Sequence, residues 1–206
     1  MRLTPLPSDL LGPIFRDARD MLLLTWAGVR APSRAALDTA AALGRSIHKV
    51  EKELTEQLVA GSDEAAPLRL VPAHVERIAD AIDGLIRSCR LMEAEGTSFT
   101  GRGMREVNAL FERAAELIEC AGDLTLTGNR VLARHVELES IRFQDLATEY
   151  ARAHEDRLVD GVCHPTSSSA YLGILDHLRE VARHARLIAC RTGPPTAPGE
   201  GAFPRF

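Results

Sequence analysis

Apolar residues recur at helical spacing along most of the chain, and this periodicity is the feature that most constrains its fold. In the clearest example the apolar positions are separated by four, three, four and four residues: Leu43, Ile47, Val50, Leu54 and Leu58. That spacing places all five side chains on one face of an α-helix. Aromatic residues make up only 4% of the sequence, so the core must consist mainly of aliphatic side chains, which pack helix against helix readily. We therefore predict an all-α protein.

Turn-forming residues divide the chain into six predicted helices. Ser33 is the expected N-cap of the second helix, and Gly161 is the expected C-cap of the fifth. The longest internal break, Gly96–Gly103, separates three helices from three. Short connections within each group favour antiparallel three-helix bundles. The predicted helices cover about 10–29, 34–60, 75–95, 104–127, 130–159 and 168–189, in a helical domain at 8–192 with halves at about 8–95 and 104–192, followed by a flexible Pro/Gly-rich tail at 193–206.

Charge and cysteine placement exclude several classes of protein. The net charge is -4 and no long basic run is present, so neither nucleic acid nor an anionic membrane surface is an expected partner. The four cysteines are at least 27 residues apart, so no paired motif indicates a zinc or redox site and free buried thiols are expected. The apolar run Met21–Ala27 is far shorter than the roughly 18 residues that spanning a membrane requires. These features predict a cytoplasmic protein.

Two segments near the end of the chain carry a recognisable pattern. His154, Arg157, Leu158 and Gly161 form the sequence His-x-x-Arg-Leu-x-x-Gly, and a Ser/Thr-rich turn follows it. The next helix contains Leu178, Arg179, His184, Ile188 and Ala189 at matching positions. This arrangement resembles the closing helical hairpin of PhoU-like domains. The resemblance implies two three-helix bundles side by side. In many relatives this domain is fused to the membrane part of a sodium/phosphate cotransporter, and here we expect the soluble part alone.

A second resemblance concerns metal binding. Glu76 and Asp80 match the Glu-x-x-x-Asp element that PhoU proteins use twice to bind metal ions. The two carboxylates lie on one helix face, and Asp83 follows one turn later, so oxygen ligands for Fe, Zn, Mn or Mg are available. A solvated acidic face is the alternative interpretation. In the second half Arg179 and Arg183 stand where carboxylates are expected, and arginine cannot bind a metal, so that site should be absent, as in the cotransporter-associated branch.

Other chemistry finds less support. His177, Glu180 and His184 lie along one stripe of the sixth helix and are an alternative set of zinc or iron ligands, but no second helix visibly completes the set. Gly101–Gly103 precedes a helix and is interpreted as a flexible hinge. No nucleophile elbow, phosphate loop or dinucleotide fingerprint occurs, and the inward helix faces are predicted to be aliphatic. We therefore do not expect an enzyme.

The resemblance implies a regulatory protein that acts by binding a partner. The expected partner is a membrane transporter for phosphate or a related anion, or its signalling apparatus. Two other hypotheses stay open: a metal-binding helical bundle or metal-dependent enzyme, and a self-associating helical scaffold. A homodimer is expected in any case, because four apolar residues cover more of the first helix than one core face needs: Leu22, Leu23, Leu24 and Trp26.

Overall fold

The computed structural model describes residues 7–61, 63–163 and 165–192, and these residues confirm the all-α prediction. Within them lie six α-helices and a short 3-10 helix at Asp63–Leu68. The helices are α1 (Pro7–Arg30), α2 (Arg34–Ala60), α3 (Val71–Glu95), α4 (Gly101–Thr127), α5 (Arg130–Val159) and α6 (Pro165–Thr192). None of the helices in these ranges is long and apolar enough to cross a membrane. The predicted flexible tail at 193–206 lies outside the described residues.

Most helix ends follow from local side-chain chemistry. Ser33 Oγ accepts a hydrogen bond from the backbone of Ala36, as its N-cap position predicted. The C-cap of α5 is Asp160, one residue before the predicted Gly161, and Gly161 follows it with a left-handed φ of 71°, which glycine adopts at little cost. The hinge predicted at Gly101–Gly103 is wrong, because Thr100 caps α4 and its Oγ1 accepts from Gly103 N at 3.1 Å. These residues therefore form the first helical turn, and the connection between the halves shortens to residues 96–100.

Each half packs as a three-helix bundle, and two helix pairs join the halves. In the first half α1, α2 and α3 contact one another, and in the second half α4, α5 and α6 do the same. Across the centre, α1 packs on α4 and α3 packs on α6. Helix α2 packs on α1 and α3, and helix α5 packs on α4 and α6, so α2 and α5 lie away from the contact between the halves. The core is continuous through both halves and consists largely of Leu, Ile, Val and Ala.

The wide apolar face of α1 packs against other helices of the same chain. This helix packs on α2, α3 and α4, so side chains around most of its circumference meet a neighbour. Leu22 is fully buried, while Leu23, Leu24 and Trp26 are partly buried and pack on the core. Trp26 also donates its indole N–H to Asn108 Oδ1 at 2.7 Å. The apolar face thus has an intramolecular explanation, and the homodimer stays a prediction.

The contact between α3 and α6 is antiparallel and depends on a missing side chain. Gly84 of α3 lies directly beneath the ring of His177 from α6, and a Cβ atom at Gly84 would come within 2.3 Å of the ring. Gly173 lies on the same pair of helices, but a Cβ atom there would meet Ser88 Oγ only at 3.9 Å. The two glycines therefore differ sharply in the space available to a larger residue.

We expect Gly84→Ala to destabilise the chain by about 1–3 kcal/mol, because the added methyl group must displace the His177 ring. Gly173→Ala is the matched control. It should be neutral or should stabilise by up to about 1 kcal/mol, since alanine favours the helix and ordinary contact distances are kept. Urea denaturation followed by circular dichroism measures both changes, and equal effects of the two substitutions would contradict the packing argument.

Candidate functional site

The residues of the His-x-x-Arg-Leu pattern take part in a buried polar cluster. Arg157, near the end of α5, donates two hydrogen bonds to the carboxylate of Glu106 in α4. Its Nη2 lies 2.7 Å from Oε2 and its Nη1 lies 3.0 Å from Oε1. The side chains are only 10% and 7% exposed. The two charges form a bidentate ion pair, the strongest geometry available to arginine and a carboxylate.

Two further donors complete the coordination of Glu106. Tyr171 of α6 donates its hydroxyl to Oε2 at 2.6 Å, and Arg102 donates from Nε to Oε1 at 3.0 Å. The carboxylate therefore accepts four hydrogen bonds, from side chains on all three helices of the second half. A buried charge needs this degree of pairing because it has lost its hydration shell.

Electrostatics keep this cluster in one protonation state at neutral pH. Burial alone would raise the pKa of Glu106, but the hydrogen bonds from Arg157, Tyr171 and Arg102 and the positive charge of Arg157 outweigh it and lower the pKa. Burial and the bond to Glu106 raise the pKa of the Tyr171 phenol. Glu106 is thus ionised and Tyr171 is protonated, so neither is poised to exchange a proton near pH 7.

His154 ties the end of α5 to the start of α6. Its Nε2 lies 3.0 Å from Ser168 Oγ, and its ring stacks on Tyr171 with the ring centres 4.3 Å apart. Burial, followed by the nearby charge of Arg157, lowers the pKa of His154. A neutral imidazole is therefore favoured here. We refer to Glu106, His154, Arg157, Ser168 and Tyr171 as the Glu106 cluster.

The same pattern also explains how α5 ends. The carbonyl oxygen of Arg157 accepts hydrogen bonds from the backbone N–H groups of Val162 and Cys163 at 2.9 and 3.2 Å. The chain can turn back to make these bonds because Gly161 is left-handed. Each part of the pattern therefore has a structural role, since His154 contacts α6, Arg157 binds Glu106, and Gly161 reverses the chain.

The predicted metal ligands lie on α3, but most already have partners. Glu76 Oε1 is 2.6 Å from His48 Nδ1, and Asp80 Oδ2 is 3.4 Å from Arg77 Nη1. Asp83 is half-buried, and burial raises its pKa. Over the described ranges, no three His, Cys, Asp or Glu side chains are grouped so that they could hold a metal ion. Metal binding stays a prediction, which elemental analysis of the native chain and a Glu76→Gln, Asp80→Asn variant would test.

The corresponding positions of α6 form local ion pairs. Arg179 Nη1 lies 2.7 Å from Asp176 Oδ1, and Arg183 Nη2 lies 2.9 Å from Glu180 Oε2. The carboxylate of Glu180 is therefore already paired with the guanidinium group of Arg183. Of the two histidines that the sequence grouped with Glu180, His177 lies over Gly84 of α3, and His184 lies beside His74 of α3 with its Nε2 3.6 Å from Glu180 Oε2. The alternative ligand set on α6 does not come together as a group of three.

A pair of histidines connects α3 to α6 at the other end of this contact. The Nδ1 atoms of His74 and His184 are 3.2 Å apart, and Nη2 of Arg183 lies 3.0 Å from Nε2 of His184. Because a guanidinium group only donates, Nε2 of His184 must accept, which leaves the proton on its Nδ1 to be donated to His74. Burial, followed by the charges of Arg183 and of His74, lowers the pKa of His184 to about 4.

Comparison with known proteins identifies the fold. No family model matches the sequence, and no curated protein matches it. The crystal structure of PhoU from Pseudomonas aeruginosa matches with a TM-score of 0.73, covering 90% of this chain and 90% of that chain at 17% identity. The chain has a PhoU-like fold. The resemblance in the closing hairpin is thereby confirmed at the level of the PhoU-like fold, with two three-helix bundles side by side.

Sequence reasoning missed the centre of the cluster in this PhoU-like fold. The inward faces were expected to be aliphatic, which is wrong for α4, where Glu106 is buried. The only signal was its position four residues before buried Leu110, on the same helix face. Nothing local indicates its partners, since Arg157 and Tyr171 lie 51 and 65 residues further along the chain.

We expect Glu106→Gln to destabilise the protein by about 3–5 kcal/mol, because it leaves Arg157 buried without a counter-charge. Arg102→Gln is the control. It removes a donor to the same carboxylate, but the Arg102 side chain is 62% exposed, so the loss should stay below about 1 kcal/mol. Urea unfolding at pH 7 measures both, and similar losses would show that the Arg157 pair is not the dominant interaction.

Acidification should destabilise the fold through His184. Its folded-state pKa lies below the usual value of about 6.5, so the unfolded chain binds more protons between pH 6.5 and pH 4. Stability is therefore complete above the unfolded pKa and is lost as the pH falls, by on the order of 2–3 kcal/mol over this window. A His184→Gln variant should lose less between pH 7 and pH 5. His48→Gln changes an exposed histidine and should behave as the native chain does.

Proposed function

We propose that this chain is a non-catalytic regulator that binds a membrane transporter for phosphate or a related anion, or its signalling apparatus, at the cytoplasmic side. The observation that carries the proposal is the PhoU-like fold over 90% of the chain. The closing-hairpin pattern, whose residues build the second half, supports it independently of the overall shape.

The chemistry of the buried polar groups also favours a binding role. Glu106, Arg157 and Tyr171 are directed at one another, and their pKa values are shifted away from neutrality. A general acid or base needs a pKa near the working pH and access to a substrate. These groups have neither property, and their arrangement fits a structural role in holding α4, α5 and α6 together.

The carboxylates of α3 are the surface that we assign to the partner. The side chains of Glu76 and Asp80 are 30% and 59% exposed, and they contact His48 and Arg77 respectively. Cytoplasmic loops of membrane proteins carry an excess of lysine and arginine. An acidic face on a chain of net charge -4 suits such loops, because complementary charge favours association and orients the encounter.

The function is tested by deleting the gene in the organism that encodes the chain and measuring the uptake of radiolabelled phosphate. We expect the deletion to change uptake and the native chain to restore it. A Glu76→Gln, Asp80→Asn variant should restore it poorly. Asp145→Asn, Glu149→Gln is the matched control, since it neutralises two exposed carboxylates at the same spacing on α5 and should restore uptake fully.

Two results would count against the proposal in different ways. Unchanged phosphate uptake after deletion would contradict the link to phosphate transport. Full restoration by both variants would leave that link in place and would reject the α3 carboxylates as the partner surface. Circular dichroism and urea unfolding of each variant must match those of the native chain, so that poor restoration is not caused by unfolding.

A further inference from the structure

Three arginines surround the pair of histidines that connects α3 to α6. Arg77 belongs to α3, and Arg183 and Arg191 belong to α6. Burial, followed by the charges of Arg191 and Arg183, lowers the pKa of His74. Burial, followed by the charge of Arg183 and with a smaller effect of Arg77, lowers the pKa of His184. All three guanidinium groups therefore act on the same pair of rings, and we call these arginines the arginine cluster.

The antiparallel packing of the two helices explains why these arginines meet. Gly84 lies opposite His177, whereas His74, nearer the start of α3, lies opposite His184, nearer the end of α6. Arg191 follows His184 by close to two full helical turns, so it stays on the same helix face and lies beside the first turn of α3. The arginine cluster therefore combines side chains from the start of α3 and the end of α6.

Positive charge exceeds negative charge at this place. Glu180 lies 2.9 Å from Arg183, and Asp80 lies 3.4 Å from Arg77. All four of these side chains are exposed to water, where such pairs contribute little. Arg191 is also exposed, and among the residues that the structure describes it has no ion-pair partner. The cluster is thus a local excess of positive charge on a chain whose net charge is -4.

Part of the donor capacity of the cluster is directed at a group that carries no charge. Nη2 of Arg183 lies 3.0 Å from Nε2 of His184, which is buried. The planar set of donors in a guanidinium group matches the oxygens of carboxylate and phosphate groups, and it binds them with two bonds at once. A neutral imidazole balances none of the positive charge. Arg191 and the unused N–H groups of the other two arginines are available to an anion from solution.

We propose that the arginine cluster binds a phosphate group, as inorganic phosphate or as a phosphate monoester, at the surface where α3 meets α6. Guanidinium groups from two helices supply N–H donors to several oxygens of a tetrahedral dianion, and bonds between charged groups are roughly twice as strong as neutral ones. Chloride offers neither the second charge nor the set of acceptors. The inference does not depend on the proposed transporter partner, because it concerns a small anion that the isolated chain should bind.

A bound phosphate group would act on the contact between α3 and α6. It would join cations from both helices, and it would offset the positive charge that contributes to the lowered pKa of His184. A ligand that binds only the folded chain stabilises it increasingly as the ligand concentration rises above the Kd. Phosphate should therefore stabilise the folded chain, and this effect should be lost when the cluster is disrupted.

The test titrates inorganic phosphate into the full chain at constant ionic strength, followed by NMR. We expect saturable shifts of resonances from residues 73–77 and 183–191, which chloride at the same ionic strength should not produce. Arg191→Gln should weaken phosphate binding about tenfold or more, the value of one hydrogen bond between charged groups. Arg191→Lys keeps the charge but not the planar set of donors, so its affinity should lie between the two.

Two further variants make the result specific. Arg77→Gln removes the contribution of α3 and should also weaken phosphate. Arg186→Gln is the matched control, because Arg186 is an exposed arginine of the same helix whose charge acts on Cys190, and it should leave the affinity unchanged. Urea unfolding of each variant without phosphate should match that of the native chain, since the substituted side chains are exposed.

Phenyl phosphate, titrated in the same way, distinguishes the two sources of the phosphate group. Tighter binding than that of inorganic phosphate would assign the site to a monoester, and equal or weaker binding would assign it to the free ion. Absence of saturable phosphate binding to the native chain would overturn the proposal. Equal weakening by Arg191→Gln and Arg186→Gln would overturn it as well, because the effect would then come from net charge and not from the arginine cluster.

Discussion

The ion pair between Glu106 and Arg157 is the interaction on which the second half depends. Two buried charges are tolerated only when their polar atoms have hydrogen-bond partners. The carboxylate of Glu106 accepts hydrogen bonds from side chains on α4, α5 and α6. Such a pair often adds little net stability compared with apolar residues of the same size. Its main consequence is positional, because the observed arrangement of the three helices brings all four hydrogen bonds to Glu106.

The junction between the halves is built on different principles. Helix α6 belongs to the Glu106 cluster through Tyr171, and it meets α3 through His177 over Gly84 and through the pair of His184 with His74. At this contact the helices are held by the close approach of their backbones and by neutral histidines, whereas the second half uses the ion pair of Glu106 and Arg157. Because burial and surrounding arginines lower the pKa values of both members of the histidine pair, this junction is strongest when they are uncharged.

The sequence was sufficient for features that local chemistry decides. Helical periodicity predicted the six helices of the described ranges. Ser33 caps the start of α2 as expected, and the chain reverses at Gly161 one residue after the C-cap of α5, because a cap involves residues only a few positions apart. The hinge predicted at Gly101–Gly103 was wrong, since the N-cap hydrogen bond that Thr100 Oγ1 accepts offsets the low helix preference of glycine. Glu106 with Arg157 and His74 with His184 escaped prediction for a physical reason: they join residues 51 and 110 positions apart, and no periodic pattern encodes such a pairing.

Helix α3 carries both the surface that we assign to the partner and much of the contact with α6. Glu76 and Asp80 are near its start, between His74 and Gly84, which contact His184 and His177 of α6. A straight helix does not by itself transmit binding energy, because coupling requires an element with two arrangements. The packing of α3 on α6 is the element that this surface borders. If protonation of the histidine pair shifts that packing, partner affinity must change with pH by the same factor by which partner binding changes the proton affinity, since linkage is reciprocal.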